Sequence, residues 1–516
     1  MPGKSYHHVR SAALSGVRGL VLEIEVSLLA GLPHFEIAGS GGRMIRDSRD
    51  RVRAAIVNSG YKFPRNHVIA SCAPLALPRQ GRAFDLPLAL ALLAAAGQII
   101  HGGSGTEAAY LGELSLDGRI RPVQGLLGRL LALRDAGITS VAGPLENQGE
   151  ASFLEGMDYE GLSDLKEAVR HFSGIRKRQR QPEKIKLQAF TPSSGIMDRI
   201  VDQEEGLRAC LIAAAGWHPL LLMGSPGSGK TLLANGMRAL LPPPDQAESL
   251  ELLSIRGGSG AFGEGLGEGI CRPFRQTHHN LTVSALVGGG ILPLAGECTL
   301  AHRGILFLDE LTEAQPRVLD ALRQPLESKS VYLARAGARL CLPADFLLVA
   351  ACSPCRCGNL LEAGPLCRCP DTAVRRHLGR ISGPLYDRFD LVTLLTRPRL
   401  DADCQSRSGV ERSMREAVGE AWQVQRERAG ALGKTNFHNS SLDMTEAAHP
   451  RLISPQALEF AYGLARSARL TARSFHAILR VARTIADLAH RELVSPEDIA
   501  EATHYKAPMP GPPAGT

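Results

Sequence analysis

Met223-Gly-Ser-Pro-Gly-Ser-Gly-Lys-Thr231 is the stretch on which the reading of this chain turns. An apolar run, Pro219-Leu-Leu-Leu-Met223, leads into Gly224-x-x-x-x-Gly229-Lys230-Thr231, and Leu232-Leu233-Ala234 continues in a helical pattern. Strand, glycine-rich loop and helix in that order make a phosphate-binding loop. Glycines let the backbone curl until its N–H groups point inward at phosphate oxygens, and the helix N-terminus behind them adds partial positive charge. Gly224, Ser225, Pro226, Gly227, Ser228 and Gly229 would form the cradle. Lys230 would reach the β- and γ-phosphates of ATP, and Thr231 would offer its hydroxyl to Mg²⁺.

A glycine-rich turn before a helix would look the same without a second element. That element is Gly304-Ile-Leu-Phe-Leu-Asp309-Glu310. Its apolar run reads as a buried parallel strand, which needs no alternation because both faces are covered. Its two carboxylates fall at the strand's C-terminal end, where open α/β sheets bind ligands. Asp309 is placed to hold Mg²⁺ through water, and Glu310 to orient and deprotonate an attacking water. Together the two elements predict hydrolysis of a nucleoside triphosphate.

At 516 residues the chain has room for about three domains. A hydrophobic content of 44% fits a soluble globular protein. The net charge of +7 is mild, so any nucleic-acid contact would depend on local patches. The N-terminus has no hydrophobic signal core, and the longest apolar stretch, Leu86 to Ile100, is too short for a membrane span. It reads as a buried helix with Pro87 in its first turn. Eleven cysteines in such a chain imply free thiols or metal ligands in a reducing cytoplasm.

Residues 1–172 mix strands and helices. Val21–Leu28 alternates as a half-buried strand, Arg46–Ile56 is helical with a charged face, and Asn66–Cys72 is a strand. Leu111–Ile120 is a hairpin turning at Asp117-Gly118, and Leu126–Ala136 is helical. Residues 173–196 form a basic linker, residues 197–399 a nucleotide-binding core and residues 400–506 a helical domain. Residues 507–516, rich in Pro and Gly, are expected to be a disordered tail. Within the core, Ile255 to Gly269 is so glycine-dense that it reads as a loop throughout. Arg272-Pro-Phe-Arg-Gln-Thr-His-His279 is compatible with a polyanion. The strand Phe346–Ala351 points a polar residue after it toward the γ-phosphate. Cys355-x-Cys357-x₉-Cys367-x-Cys369 has the ligand count of tetrahedral zinc, the alternative being four reduced, metal-free thiols. Ser495-Pro-Glu-Asp498 opens a final helix with a serine N-cap and proline at N1.

Nearly the whole chain resembles the magnesium-chelatase-like AAA+ ATPases of the YifB/ComM type. The stretches that carry the resemblance include Ser48-Arg-Asp-Arg-Val-Arg-Ala-Ala, Phe84-Asp-Leu-Pro-Leu-Ala-Leu and Gly112-Glu-Leu-Ser-Leu-Asp-Gly-Arg. Arg272-Pro-Phe-Arg, Ala285-Leu-Val-Gly-Gly-Gly290, Ala321-Leu-Arg-Gln-Pro-Leu-Glu327 and Tyr386-Asp-Arg-Phe-Asp390 add to it. The resemblance implies a multidomain α/β protein. Its N-terminal domain would fold like the Lon protease domain (ribosomal S5 domain 2-like), its core would be an AAA+ P-loop αβα unit with a helix-2 insert near Gly257–Gly269, and its lid would be helical. It implies a hexameric, cytoplasmic ATPase that needs ATP and Mg²⁺. Such a motor would move branched or single-stranded DNA without sequence preference, promoting branch migration in natural transformation. The alternative is a protein-remodelling ATPase of magnesium-chelatase type.

By the same resemblance Arg388 corresponds to the arginine finger, Arg473 to the sensor-2 arginine, and Val331–Leu340 to the pre-sensor hairpin with Arg335 and Arg339 available for DNA. The alternative for either Arg388 or Arg473 is a structural ion pair. The first sensor, usually asparagine, falls at Cys352-Ser353, and a serine hydroxyl is shorter. A second departure is Gly39-Ser-Gly-Gly42, where the family has Gly-Leu-Pro-Asp. At the register of Lon's catalytic serine and lysine stand Asp85 and Leu127, so the N-terminal domain would not be a protease.

Overall fold

The computed structural model describes residues 6–37, 43–74, 83–102, 108–175, 187–260, 269–278, 280–290, 294–335, 338–362, 366–398, 408–431, 433–434 and 436–506. Residues 176–186 of the predicted linker, the tail, Gly39–Gly42 and residues 261–268 of the predicted insert therefore lie outside the described residues.

The N-terminal segment builds strands β1 (Tyr6–Ser15), β2 (Arg18–Leu29), β3 (His34–Ile37), β4 (His67–Ala73), β5 (Ala109–Tyr110), β6 (Ser140–Pro144) and β7 (Asp158–Leu162). They make one mixed sheet in the order β3-β4-β2-β1-β5-β6-β7. Alternation in β2 buries Ile24 and Val26 in a hydrophobic cluster with helices α1 (Arg43–Asn58) and α2 (Asp85–Ala95), while α3 (Leu126–Asp135) clusters with Ala12 of β1 and Val21, whose side chains alternate with these. The predicted helix from Leu86 to Ile100 stops at Ala95, because Gly97 takes a left-handed φ of 67° and ends it. The predicted hairpin is present, with Leu114 paired to Ile120.

The core adds α4 (Glu204–Gly216), β8 (Leu220–Gly224), α5 (Lys230–Gly236), α6 (Gln246–Gly258), β9 (Phe274–Thr277) and β10 (Ile305–Leu308). A hairpin, β11 (Ser330–Arg335) and β12 (Ala338–Pro343), precedes β13 (Leu347–Cys352) and β14 (Leu391–Leu395). Five strands form a sheet ordered β9-β10-β13-β8-β14, and every pairing in it is parallel. Both faces are covered, so β8, β10 and β13 are buried along their whole length.

Ile255 to Gly258 are not loop but the last turn of α6, which opens with an Asp245–Glu248 capping box. Leu250, Leu252 and Leu253 share a hydrophobic cluster with Leu126, Leu127 and Leu130 of α3, and that burial outweighs the poor helix propensity of glycine. Small size is what the contact requires: a Cβ on Gly258 would lie 3.2 Å from Val17 Cα. The Ser254 hydroxyl completes the join, donating to the Val17 carbonyl at 3.1 Å.

Helices α7 (Val410–Ala431), α8 (Pro455–Ser467), α9 (Ala472–Leu488) and α10 (Pro496–His504) form the C-terminal unit. Ser495 caps α10 with Pro496 at its start, as the sequence predicts. The unit seats on α4 through Trp422, whose indole donates to the Ala214 carbonyl at 3.0 Å, and Gln425, which donates to Ala215 at 3.0 Å. His438 stacks on Trp217 and meets Trp422 edge-on, each with ring centroids 4.7 Å apart.

Candidate nucleotide site and its flanking groups

The parallel register brings the predicted site together. Met223 pairs with Cys352, so the phosphate loop leaves β8 directly beside Ser353 at the end of β13. Leu308 pairs with Ala350, which sets Asp309 and Glu310 at the same edge. Gly227 and Gly229 have φ values of 82° and 86°, a region costly for any residue with a Cβ. An added Cβ at either would meet nothing within 4 Å, so the loop faces open space. The Ser225 and Ser228 hydroxyls are buried without a partner inside it. This loop has the form of an anion cradle.

Lys230 folds its ammonium onto the loop, donating to the carbonyls of Gly224 at 2.7 Å and Ser225 at 2.8 Å. Burial lowers its pKa, opposed by Cys352 and the Asp309 carboxylate. The Thr231 hydroxyl donates to Asp309 at 3.2 Å, joining the two groups expected to hold Mg²⁺. Asp309 also accepts from the Glu310 backbone N–H at 3.0 Å. Glu310 itself is exposed, in a left-handed conformation with φ of 51°. A glutamate there is strained, and such strain clusters where function over-determines geometry. The Ser353 carbonyl accepts from His377 at 3.0 Å, anchoring the end of β13.

Arg388 and Arg473, far apart in sequence, converge on one carboxylate. Arg388 bonds Glu327 Oε1 and donates to the Pro384 carbonyl at 2.6 Å. Arg473, at the start of α9, donates to the same Glu327 oxygen at 2.7 Å. Both ion-pair roles allowed from sequence are thus occupied, and by a shared partner. The Glu327 pKa is lowered, first by the Arg473 hydrogen bond and further by Arg388.

Just beyond Arg388, Asp390 enters a buried polar network. It accepts from His218 at 2.9 Å and from Arg480 of α9 at 3.0 Å. His218 bonds Thr484 at 2.8 Å on its other nitrogen. Burial acts to raise the Asp390 pKa, but Arg480 and His218 more than reverse it, so it ends low. Burial lowers the His218 pKa, against the pull of Asp390. The strand after Arg388 and the helix bearing Arg473 are joined by these bonds.

The four predicted thiols, Cys355, Cys357, Cys367 and Cys369, lie within 4.8 Å of one another, a group able to hold a metal ion. Arg272 is not free for a polyanion: it is buried, paired to Glu248 at 2.6 Å and lies 5.0 Å over Trp422. Arg275 is paired to Glu297 at 2.6 Å. These arginines brace the core.

A profile described as "Magnesium chelatase, subunit ChlI" matches residues 196–402. Profiles for "Subunit ChlI of Mg-chelatase" and its C-terminal part match residues 24–147 and 410–506. "Competence protein ComM" of Haemophilus influenzae is 35% identical over 506 residues, covering 97% of both chains. The chain belongs to the YifB/ComM family of magnesium-chelatase-like proteins.

This family is of the AAA+ ATPase type, consistent with the phosphate loop and the acidic pair. "Uncharacterized protein YifB" of Escherichia coli is 34% identical over 506 residues, covering 97% of this chain and 96% of the relative. A Lon protease of Lachnoclostridium phytofermentans is 28% identical over 172 residues, 31% of this chain and 21% of that protein. In this YifB/ComM member Asp85 is fully buried and paired to Arg51 at 3.0 Å, and burial pushes its pKa up to about 6. Leu127 is a fully buried core residue. Neither is a hydroxyl or a base positioned for peptide hydrolysis.

The hairpin with Arg335 and Arg339 forms as predicted, Ala334 pairing with Arg339 and Arg335 with Ala338 at its tip. Glu327, Asp390 and His218 escaped sequence reasoning, since each acts through partners remote in the chain. The Ala321–Glu327 and Tyr386–Asp390 motifs contain Glu327 and Asp390 but assign neither a partner. Among the described residues, no helix is long and apolar enough to cross a membrane.

Proposed function

We propose that this chain is an ATP-hydrolysing, ring-forming motor that moves branched or single-stranded DNA and promotes branch migration during natural transformation. The observation that carries the reading is the convergence of Thr231, Asp309 and Glu310 beside an open phosphate loop at the C-terminal edge of a parallel sheet. Loop N–H groups and Lys230 would hold the triphosphate. Glu310 would orient water and take its proton as the water oxygen bonds to the γ-phosphorus and the bond to the β-phosphate oxygen breaks. Mg²⁺, held through Thr231 and Asp309, would neutralise charge on the β- and γ-phosphate oxygens. Ser353 would act as the first sensor through a bridging water, since its hydroxyl is too short to span the gap to the γ-phosphate directly.

Arg388 and Arg473, held together on Glu327, would present their charge to the γ-phosphate of a neighbouring subunit, making a hexameric ring the functional unit. In such a ring the tips bearing Arg335 and Arg339 would face a central pore and grip DNA phosphates irrespective of sequence. Zinc is the ion best suited to the four thiols. The name of the competence relative supports the DNA reading. The magnesium-chelatase profiles support the alternative, a motor acting on a protein partner. One assay separates them. ATPase rate is measured with branched DNA, single-stranded DNA and neither, and an absence of stimulation by any DNA would refute the DNA motor.

A further inference from the structure

The cysteine group does not stand apart from the nucleotide site. Its sulfurs are spaced as ligands of a single ion: Cys355 to Cys357 is 3.3 Å, Cys355 to Cys367 is 3.7 Å and Cys357 to Cys367 is 3.6 Å. A tetrahedron with zinc–sulfur bonds of 2.3 Å has edges of about 3.8 Å. Several irons in a cluster would spread four sulfurs wider than this.

The turn between these ligands rests on the phosphate loop. Gly358 follows Cys357 with φ of 80°, and a Cβ there would lie 2.3 Å from Cδ of Pro226. Only a glycine backbone seats so closely against that proline ring. Arg397, two residues beyond β14, ties the same surfaces from the other side. Its Nε donates to the Pro226 carbonyl at 3.2 Å and its Nη2 to Asn359 Oδ1 at 2.8 Å. Its backbone N–H donates to Glu362 at 3.1 Å. At the near end, Cys355 is two residues from Ser353, so the metal ligands continue directly from the sensor strand.

We propose that a zinc ion bound by Cys355, Cys357, Cys367 and Cys369 fixes the Cys357–Asn359 turn against Pro226 and so holds the phosphate loop in its nucleotide-receiving shape. The proposal rests on the zinc reading and extends it: the metal site is a support for ATP binding, with no part in the chemistry. Pro226 has no N–H to give a phosphate, so its place in the loop is that of a bearing surface. Without the ion, four thiols no longer hold the turn, and the cradle loses one wall.

The test uses the full-length chain. Metal content is measured first, then nucleotide affinity by anisotropy of a fluorescent ATP analogue, before and after zinc is stripped with a thiol-directed mercurial and chelator. About one zinc per chain is expected. Stripping should weaken nucleotide binding by about tenfold, and returned zinc with a reductant should restore it. Gly358→Ala and Arg397→Ala should keep their zinc yet bind nucleotide several-fold more weakly. A folded, nucleotide-binding chain with no bound metal overturns the zinc reading and this inference with it. Zinc that is present, but whose loss and whose two contact variants leave affinity unchanged, overturns the support alone. Should stripped protein aggregate, the Gly358 and Arg397 variants still decide.

Discussion

Removing Asp390 tests whether the network behind the arginine pair couples the core to the helical unit. In the wild type its carboxylate is buried and accepts from His218 at 2.9 Å and Arg480 at 3.0 Å. Asp390→Ala leaves a guanidinium with one remaining bond, to the Ser440 carbonyl at 2.7 Å, and a fully buried imidazole with its Nδ1 partner gone. Breaking a buried charge pair costs about 3–5 kcal/mol, and orphaning a neutral donor about 1 kcal/mol more. Arg480 keeps 18% exposure, which offsets part of this, so about 3–4 kcal/mol is expected. Asp390→Asn keeps an acceptor for one of the two donors and should cost about 1–2 kcal/mol. The assay is native-state hydrogen exchange, reading the opening free energy of amides in α9 and β14. The pH dependence has a definite sign. His218 and Asp390 both have folded pKa values below their unfolded ones, so their stabilisation is full above the unfolded His value of 6.5. It is lost progressively as pH falls below that. Asp390→Ala that opens α9 by less than about 1 kcal/mol would refute the reasoning.

Further expectations follow from the site. Glu310→Gln should bind ATP normally while hydrolysis falls by about 10²-fold or more, as for loss of a general base, and near-normal turnover would remove Glu310 from that role. Glu327→Ala frees Arg388 and Arg473 from their shared carboxylate. It should lower ATPase rate more than nucleotide affinity, whereas unchanged kinetics would make the shared ion pair incidental. Because the finger is expected to act between subunits, specific ATPase activity should rise with protein concentration. A mixture of Arg388→Ala and Lys230→Ala subunits should then regain activity that neither has alone, and the absence of any recovery would argue for a site complete in one chain. Arg335→Ala with Arg339→Ala should abolish DNA-stimulated hydrolysis while basal hydrolysis survives, and movement of branched DNA at the wild-type rate by that variant would exclude the hairpin as the gripping element.

What the sequence alone determined is what contiguous residues decide. The phosphate loop, the acidic pair after a buried strand, the thiol spacing, the hairpin and the Ser495 cap are all local patterns whose chemistry lies within a few positions. They were legible because strand periodicity, glycine conformation and capping act over one or two turns of chain. Ile255–Gly258 misled because glycine propensity is also local, while the burial of Leu250, Leu252 and Leu253 against α3 depends on a helix more than a hundred residues earlier. Arg272 misled in the same way, as its partner Glu248 lies 24 residues upstream on another element. Only the tertiary structure brought Arg388 and Arg473 onto Glu327, joined His218 to Asp390 and Arg480, and set Gly358 on Pro226. Those contacts are fixed by strand order and by the seating of α7–α10 on α4, and neither can be read from neighbours in the chain. A charged side chain's role is set by the one partner it reaches in space, and sequence spacing carries that information only when the two share an element.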